Sequence, residues 1–166
     1  FVIVDDTDTQ KTIKHQLDGL IPLYGNRLRF EYLTHLTMKE MQERTHTLPQ
    51  HSIVLLLGFT RDSKGMLFSA EESAALISES SIRPIYSVWD FYLSHGIMGG
   101  KLTTGIAHGE KAAELALRIL GGENPRSIPV VEESRNRDFF DFLVFNEFII
   151  DRQRLPDGSQ VINVLL

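Results

Sequence analysis

The chain has 166 residues, with 17 Lys plus Arg against 22 Asp plus Glu for a net charge of −5, 42% apolar residues and no cysteine. This length and apolar fraction suit one ordinary globular domain and exclude disorder, collagen and low-complexity sequence. The acidic balance excludes a phosphate-neutralising basic stripe and hence nucleic acid, and zero Cys excludes disulfides, zinc ribbons and thiol catalysis without fixing a compartment.

The arginines, among them Arg27, Arg29, Arg118, Arg126, Arg135 and Arg137, are scattered among acids. No apolar run approaches the roughly 18 to 20 residues of a membrane span, and no signal peptide is visible. The chain opens at Phe1 inside an apolar run, which reads as a fragment of something longer.

Phe1 to Val4 is a short β-branched and aromatic run, closed by Asp5, Asp6, Thr7 and Asp8, which suit a strand end followed by a helix N-cap. Ile13, Leu17, Leu20 and Ile21 then share one helical face, ended by the turn signals of Pro22 to Asn26. Leu28 to Thr34 alternates as a half-buried strand. Thr37 with Glu40 forms a capping box for a second helix that stops before Pro49. Ser52 to Leu57 is a continuous apolar run bounded by Gly58, the pattern of a central parallel strand buried on both faces.

Ser69 with Glu72 is a second capping box, Ala70 to Ser78 continues as helix, and Ile85 to Val88 is the next strand. Strands alternating with helices at this rhythm predict an α/β fold with right-handed crossovers and helices on both faces of the sheet. Phe91 to Lys101, with Gly96, Gly99 and Gly100, reads as a crossing or loop with close backbone approach. Lys111 to Leu120 is the strongest helix, stopped by Gly121 and Gly122. Ser127 to Val131 reads as a short strand, Asp138 to Ile150 as a phenylalanine-rich helix, and the tail is polar until Val161 to Leu166.

Asp5 and Asp6 invite comparison with the acidic pocket of a response-regulator receiver, which needs an acceptor Asp on the third strand. That strand reads SIVLLLGFTRD, with Gly58 at the acceptor position and Asp62 several residues too late, so the carboxylates read as strand-end caps. No phosphate loop and no GxSxG elbow is present. The six His show no paired helical spacing, and Ser94 and His95 are merely adjacent. The expectation is therefore no catalytic group, no metal and no cofactor.

What stands out is a ring at the predicted C-terminal strand ends, where open α/β sheets bind ligands. It comprises Asp5, Asp6 and Thr7, then Phe59, Thr60 and Arg61, then Trp89, Asp90 and Phe91. An aromatic, a guanidinium and a carboxylate converging there suit a clamp on a small polar ligand. The competing reading makes Trp89 half-buried core and Arg61–Asp62 a solvated loop.

The stretch SVWDFYLSHGIMGGKLTTGIAHGEKAAELALRILGGENPRSIPVVEES, together with SIVLLLGFTRD and FSAEES, resembles the ABC-transporter substrate-binding type of periplasmic-binding-protein domain. In particular it resembles the version at the N-terminus of bacterial membrane sensors, ahead of PAS, histidine-kinase or GGDEF output modules. The resemblance implies a type 1 periplasmic-binding fold, a three-layer α/β sandwich with a parallel, flavodoxin-like sheet, closing on a small molecule in a cleft between two lobes. It starts at the first strand of the second lobe. Residues 1–166 would be one domain, the C-terminal lobe, with residues 99–121 belonging to the missing N-terminal lobe.

That helix, deprived of its lobe, is expected to repack here or to pair in a homodimer. With the strand-end ring, the resemblance implies that Trp89 stacks on the ligand while Asp90, Arg61 and Asp6 bond to it, with Phe59 and Thr7 lining the site and His95 near the hinge. The implied protein is a non-catalytic, extracytoplasmic ligand sensor of a bacterial inner-membrane signalling protein, partnered by a small molecule and the rest of its receptor. The runner-up is a free-standing substrate-binding protein of an ABC transporter, and a third reading is a cytoplasmic α/β enzyme or receiver.

Overall fold

A computed structural model of the chain describes residues 1–131, 136–148 and 150–164. Seven strands form one sheet in the order β2-β1-β3-β4-β5-β6-β7: β1 (Val2–Val4), β2 (Tyr32–Leu33), β3 (Val54–Gly58), β4 (Ile85–Ser87), β5 (Gly99–Leu102), β6 (Arg137–Asp141) and β7 (Gln160–Ile162). All neighbours pair in parallel except β5 and β6, which run antiparallel.

The helices are α1 (Asp8–Leu20), α2 (Met38–His46), α3 (Ala70–Ser80), α4 (Gly105–Leu120) and α5 (Phe142–Glu147). Because side chains alternate across a strand, Ile3, Val54 and Leu56 face one layer with Met41 of α2 and Ile77 of α3. Val2, Val4 and Leu57 face the other, against Ile13 and Leu17 of α1. This places β3 between two apolar layers, as its unbroken apolar run predicts. A smaller cluster around Met98, Phe140 and Phe145 fills the space under α5.

Both capping boxes form. Thr37 and Ser69 accept from the amides of Glu40 and Glu72, and each glutamate reaches back to its N-cap amide. Ser69→Ala should cost about 1 kcal/mol through the lost cap, read as a lower urea midpoint with an unchanged slope.

The second half departs from the sequence reading. Gly99 to Leu102 is strand rather than loop, because the two glycines let neighbouring backbones come close on both sides. The predicted helix over 138–150 is strand β6 followed by the shorter α5. Phe139 and Phe140 sit opposite Gly100 and Gly99, so ladder pairing overrides a phenylalanine-rich run with no clear period. Ser127 to Val131 is not a strand: a 3-10 turn at Pro125–Ser127 is followed by chain outside any helix or strand. Only Tyr32–Leu33 of the predicted 28–34 strand pairs, and α4 begins six residues before Lys111, with Thr104 as its N-cap.

The chain leaves the sheet at Leu102 and rejoins it at Arg137, the residue paired with Leu102. Since β5 runs parallel to β4, this excursion rises from the C-terminal edge of the parallel strands. α4 does not repack on the sheet. Ala107 is its one buried residue, while Ile106, Leu117 and Leu120 are 76%, 70% and 83% exposed.

Candidate functional site

At the C-terminal edge of β1, β3 and β4 the chain turns sharply after each strand. After β1, Asp5 is buried and accepts four hydrogen bonds: from the amide and hydroxyl of Thr7 on one oxygen, and from the amide and hydroxyl of Thr60 on the other. Burial alone would push this carboxyl up, and the four donors outweigh it, holding Asp5 below the usual carboxylate range. Asp5 is therefore a strut between the β1 and β3 ends rather than the cap of α1. Thr7 is the N-cap, and its side chain accepts no capping bond.

Beside the strut, Asp6 pairs with Nδ1 of His35 at 2.8 Å and accepts a long bond, 3.4 Å, from the Thr34 hydroxyl. His35 has φ 56°, a left-handed backbone at the turn after β2. Phe59 is 1% exposed and tilts against Phe68 in the core, so it has no surface to offer a ligand. Alternation along β3 would set Phe59 with Leu57; the strand ends at Gly58, and the turn after it carries Phe59 into the α2–α3 layer with Leu56. Arg61 is exposed and opens a small hairpin by pairing with Leu67. Asp62 pins that hairpin by accepting from the amides of Lys64, Met66 and Met38.

After β4, Trp89 lies half-buried. Its indole Nε1 donates to the carbonyl of Leu57 at 2.9 Å, and its ring stacks on Phe91 with centroids 5.9 Å apart and planes within 10°. The single 3-10 turn at Asp90–Tyr92 places the two rings together, and Phe91 is exposed. With its one donor engaged, Trp89 has only its ring left to present to a ligand. Asp90 accepts from the amide of Gly105 at 3.1 Å, tying this turn to the base of α4. Tyr92 beneath is fully buried, and its phenol is pushed up to about 12 by burial and by the charge of Asp5.

His95 lies outside this group. It is half-buried where the chain runs back beside α3, its carbonyl accepting from Ser78. Of the seven predicted residues, the strand-end turns thus hold Trp89, Asp90, Asp6, Thr7 and Arg61 at one edge, while Phe59 is core and His95 lies along α3. A cavity of about 330 Å³ opens beside them at the base of α4, lined by Asp90, Ile106, Arg137, Phe139 and Gln160 among others. Among the described residues no group of three or more His, Cys, Asp or Glu could hold a metal.

Sequence reasoning missed Gln10. Its carboxamide is buried over Gly58, where an added Cβ would run into it, and its Nε2 shares the Leu57 carbonyl with Trp89. Thr7 and Gln10 have capping-box spacing, which was the available signal. Neither makes the box: Thr7 turns to Asp5, and Gln10 to Leu57.

No protein-family model matches the chain, and no curated protein matches it at a significant level. Two solved structures do match in fold. One is a substrate-binding protein with adhesive properties from Clostridium difficile, solved ligand-free and open, with TM-score 0.67 and 14% identity over 99% of this chain. The other is a conserved domain protein from Vibrio cholerae, with TM-score 0.57 and 15% identity over 96% of this chain. In each case the match covers 54% of the solved chain, so this chain spans about half their length. The seven-stranded α/β sheet is thus a substrate-binding-protein-like fold.

Proposed function

We propose that residues 1–166 form one lobe of a two-lobed, extracytoplasmic domain that binds a small molecule without turning it over, and that the domain is the sensor of a bacterial membrane signalling protein. The observation that carries the two-lobed reading is α4. Its exposed Ile106, Leu117 and Leu120 stand above the same sheet edge that presents Trp89 and Phe91. An apolar stripe of this kind needs a partner surface, and solved chains of this fold about twice as long supply room for one. Of the expected 99–121 segment, Gly99–Leu102 stays in this sheet as β5, while α4 packs with the other lobe, and the crevice becomes one wall of a cleft. A lobe alone buries too little of a small molecule to offset the entropy lost on association.

A thermal-shift panel of amino acids, nucleobases, sugars and carboxylates tests this on a chain carrying both lobes, with residues 1–166 alone as control. A ligand at about 100 times its Kd adds roughly 2.7 kcal/mol to the native state, so a binder should raise the Tm of the two-lobed chain only. Stabilisation of neither chain would overturn the reading, and stabilisation of the single lobe would place the site within it. Trp89→Ala, checked for folding, should weaken the hit by about 2 kcal/mol, the scale of an aromatic hot spot.

The alternative, a free-standing transporter component, is favoured by the description of the Clostridium difficile neighbour as a substrate-binding protein. A membrane span and an output module encoded after Leu166 decide for the sensor.

A further inference from the structure

We propose that Gln10 is a specificity residue of this crevice, its carboxamide oxygen held for a hydrogen-bond donor on the ligand beside the uncapped first turn of α1. The inference rests on the reading of the C-terminal edge as a ligand site. Among the described residues, Gln10 Oε1 is the buried side-chain polar atom with no partner.

The orientation of the amide is set by chemistry. The Leu57 carbonyl can only accept, so the nitrogen of Gln10 must face it and the oxygen must face away. That bond is 3.4 Å long, beyond the ordinary range for N–H···O, and the same carbonyl already receives the Trp89 indole at 2.9 Å. Gln10 is therefore weakly held on its donor side and unsatisfied on its acceptor side.

A residue chosen for stability would look different. A buried acceptor left unpaired carries a desolvation cost that an apolar side chain of the same shape avoids. Gln10 sits against the backbone of Gly58 and shares the Leu57 carbonyl with Trp89; its oxygen is closed to solvent, so a ligand stacked on Trp89 meets it by drawing the weakly held carboxamide away from Leu57. Thr7, the N-cap, spends its hydroxyl on Asp5 and leaves the first turn of α1 without a side-chain cap. The favoured ligand pairs a planar or apolar body for Trp89 and Phe91 with an N–H or O–H donor for Gln10 and an acceptor for the open turn.

Gln10→Met in the full chain separates this from a structural role. It is nearly isosteric and removes the unpaired oxygen. Without ligand its Tm should rise by about 2 to 4 °C; an unchanged or lower Tm means that the carboxamide stabilises the fold, and overturns the proposal.

The binding arm repeats the panel of free compounds on wild type and Gln10→Met, with N–H compounds paired against N-methylated counterparts, for example uracil with 1,3-dimethyluracil. Occupancy is read on the two-lobed chain as the ligand-induced rise in Tm. A donor-bearing hit should lose about tenfold in affinity on Gln10→Met, and its N-methylated counterpart should bind both proteins alike. Equal affinity of the donor-bearing hit for both proteins overturns the role of Gln10 and leaves the site standing, whereas a panel with no wild-type hit overturns both.

Discussion

Alanine at position 99 is expected to destabilise the protein by about 3 kcal/mol or more, the range of severe backbone strain added to a steric clash. Gly99 has φ 128°, a conformation closed to L side chains, and an added Cβ would strike the carbonyl oxygen of Phe139 and the Cα of Phe140. Neither obstacle is the movable end of a side chain; both belong to the strand paired with β5. Relief requires β5 and β6 to separate at the place where the chain enters and leaves the α4 excursion. Equilibrium urea unfolding should show a large fall in midpoint with the slope retained. Gly109→Ala is the contrast. It lies within α4 with open space around its Cα, and there alanine should stabilise by about 0.5 to 1 kcal/mol through helix propensity.

Loss of the Asp5 carboxylate is the second large effect. Asp5→Ala strands four donors, the amides and hydroxyls of Thr7 and Thr60, in a part-buried site. Bonds to a charged acceptor contribute about 1.5 to 3 kcal/mol each and do not add, so a total near 3 kcal/mol is expected. The folded-state pKa of Asp5 lies below its unfolded value. Its contribution to stability is therefore fully present above the unfolded value of about 4 and is lost as pH falls through the lower folded value. Melting curves from neutral pH into acid should fall less steeply for Asp5→Asn than for wild type; parallel curves would remove Asp5 as a source of acid sensitivity. Because the strut joins the β1 and β3 ends, these variants also test how rigidly the turns after those strands are held.

The α/β class, the central strand at β3 and the two capping boxes were legible from local pattern. A buried strand needs a continuous apolar run, and a capped helix start needs an oxygen and a glutamate three residues apart. The strand-end ring was legible too, because in an α/β sheet the C-terminal edge follows from strand order along the chain. The composition of the site was not. Phe59 and Arg61 are two residues apart in one turn, yet one is core and the other exposed, a difference set by which layer the chain faces as it leaves β3.

β6 was illegible because its strand pairing depends on Gly99 and Gly100, some forty residues earlier, accepting a backbone at close range. The same separation hides the bonds that matter most at the crevice. Asp5 meets Thr60, and both Gln10 and Trp89 meet the carbonyl of Leu57. The sequence by itself determined which segments become strands and capped helices in the first half of the chain, since those choices depend on neighbours within one turn or one strand. Only the tertiary structure decided which polar groups among the described residues are satisfied and which are left without a partner, because a hydrogen bond across fifty residues exists only once the layers that carry its two ends have packed.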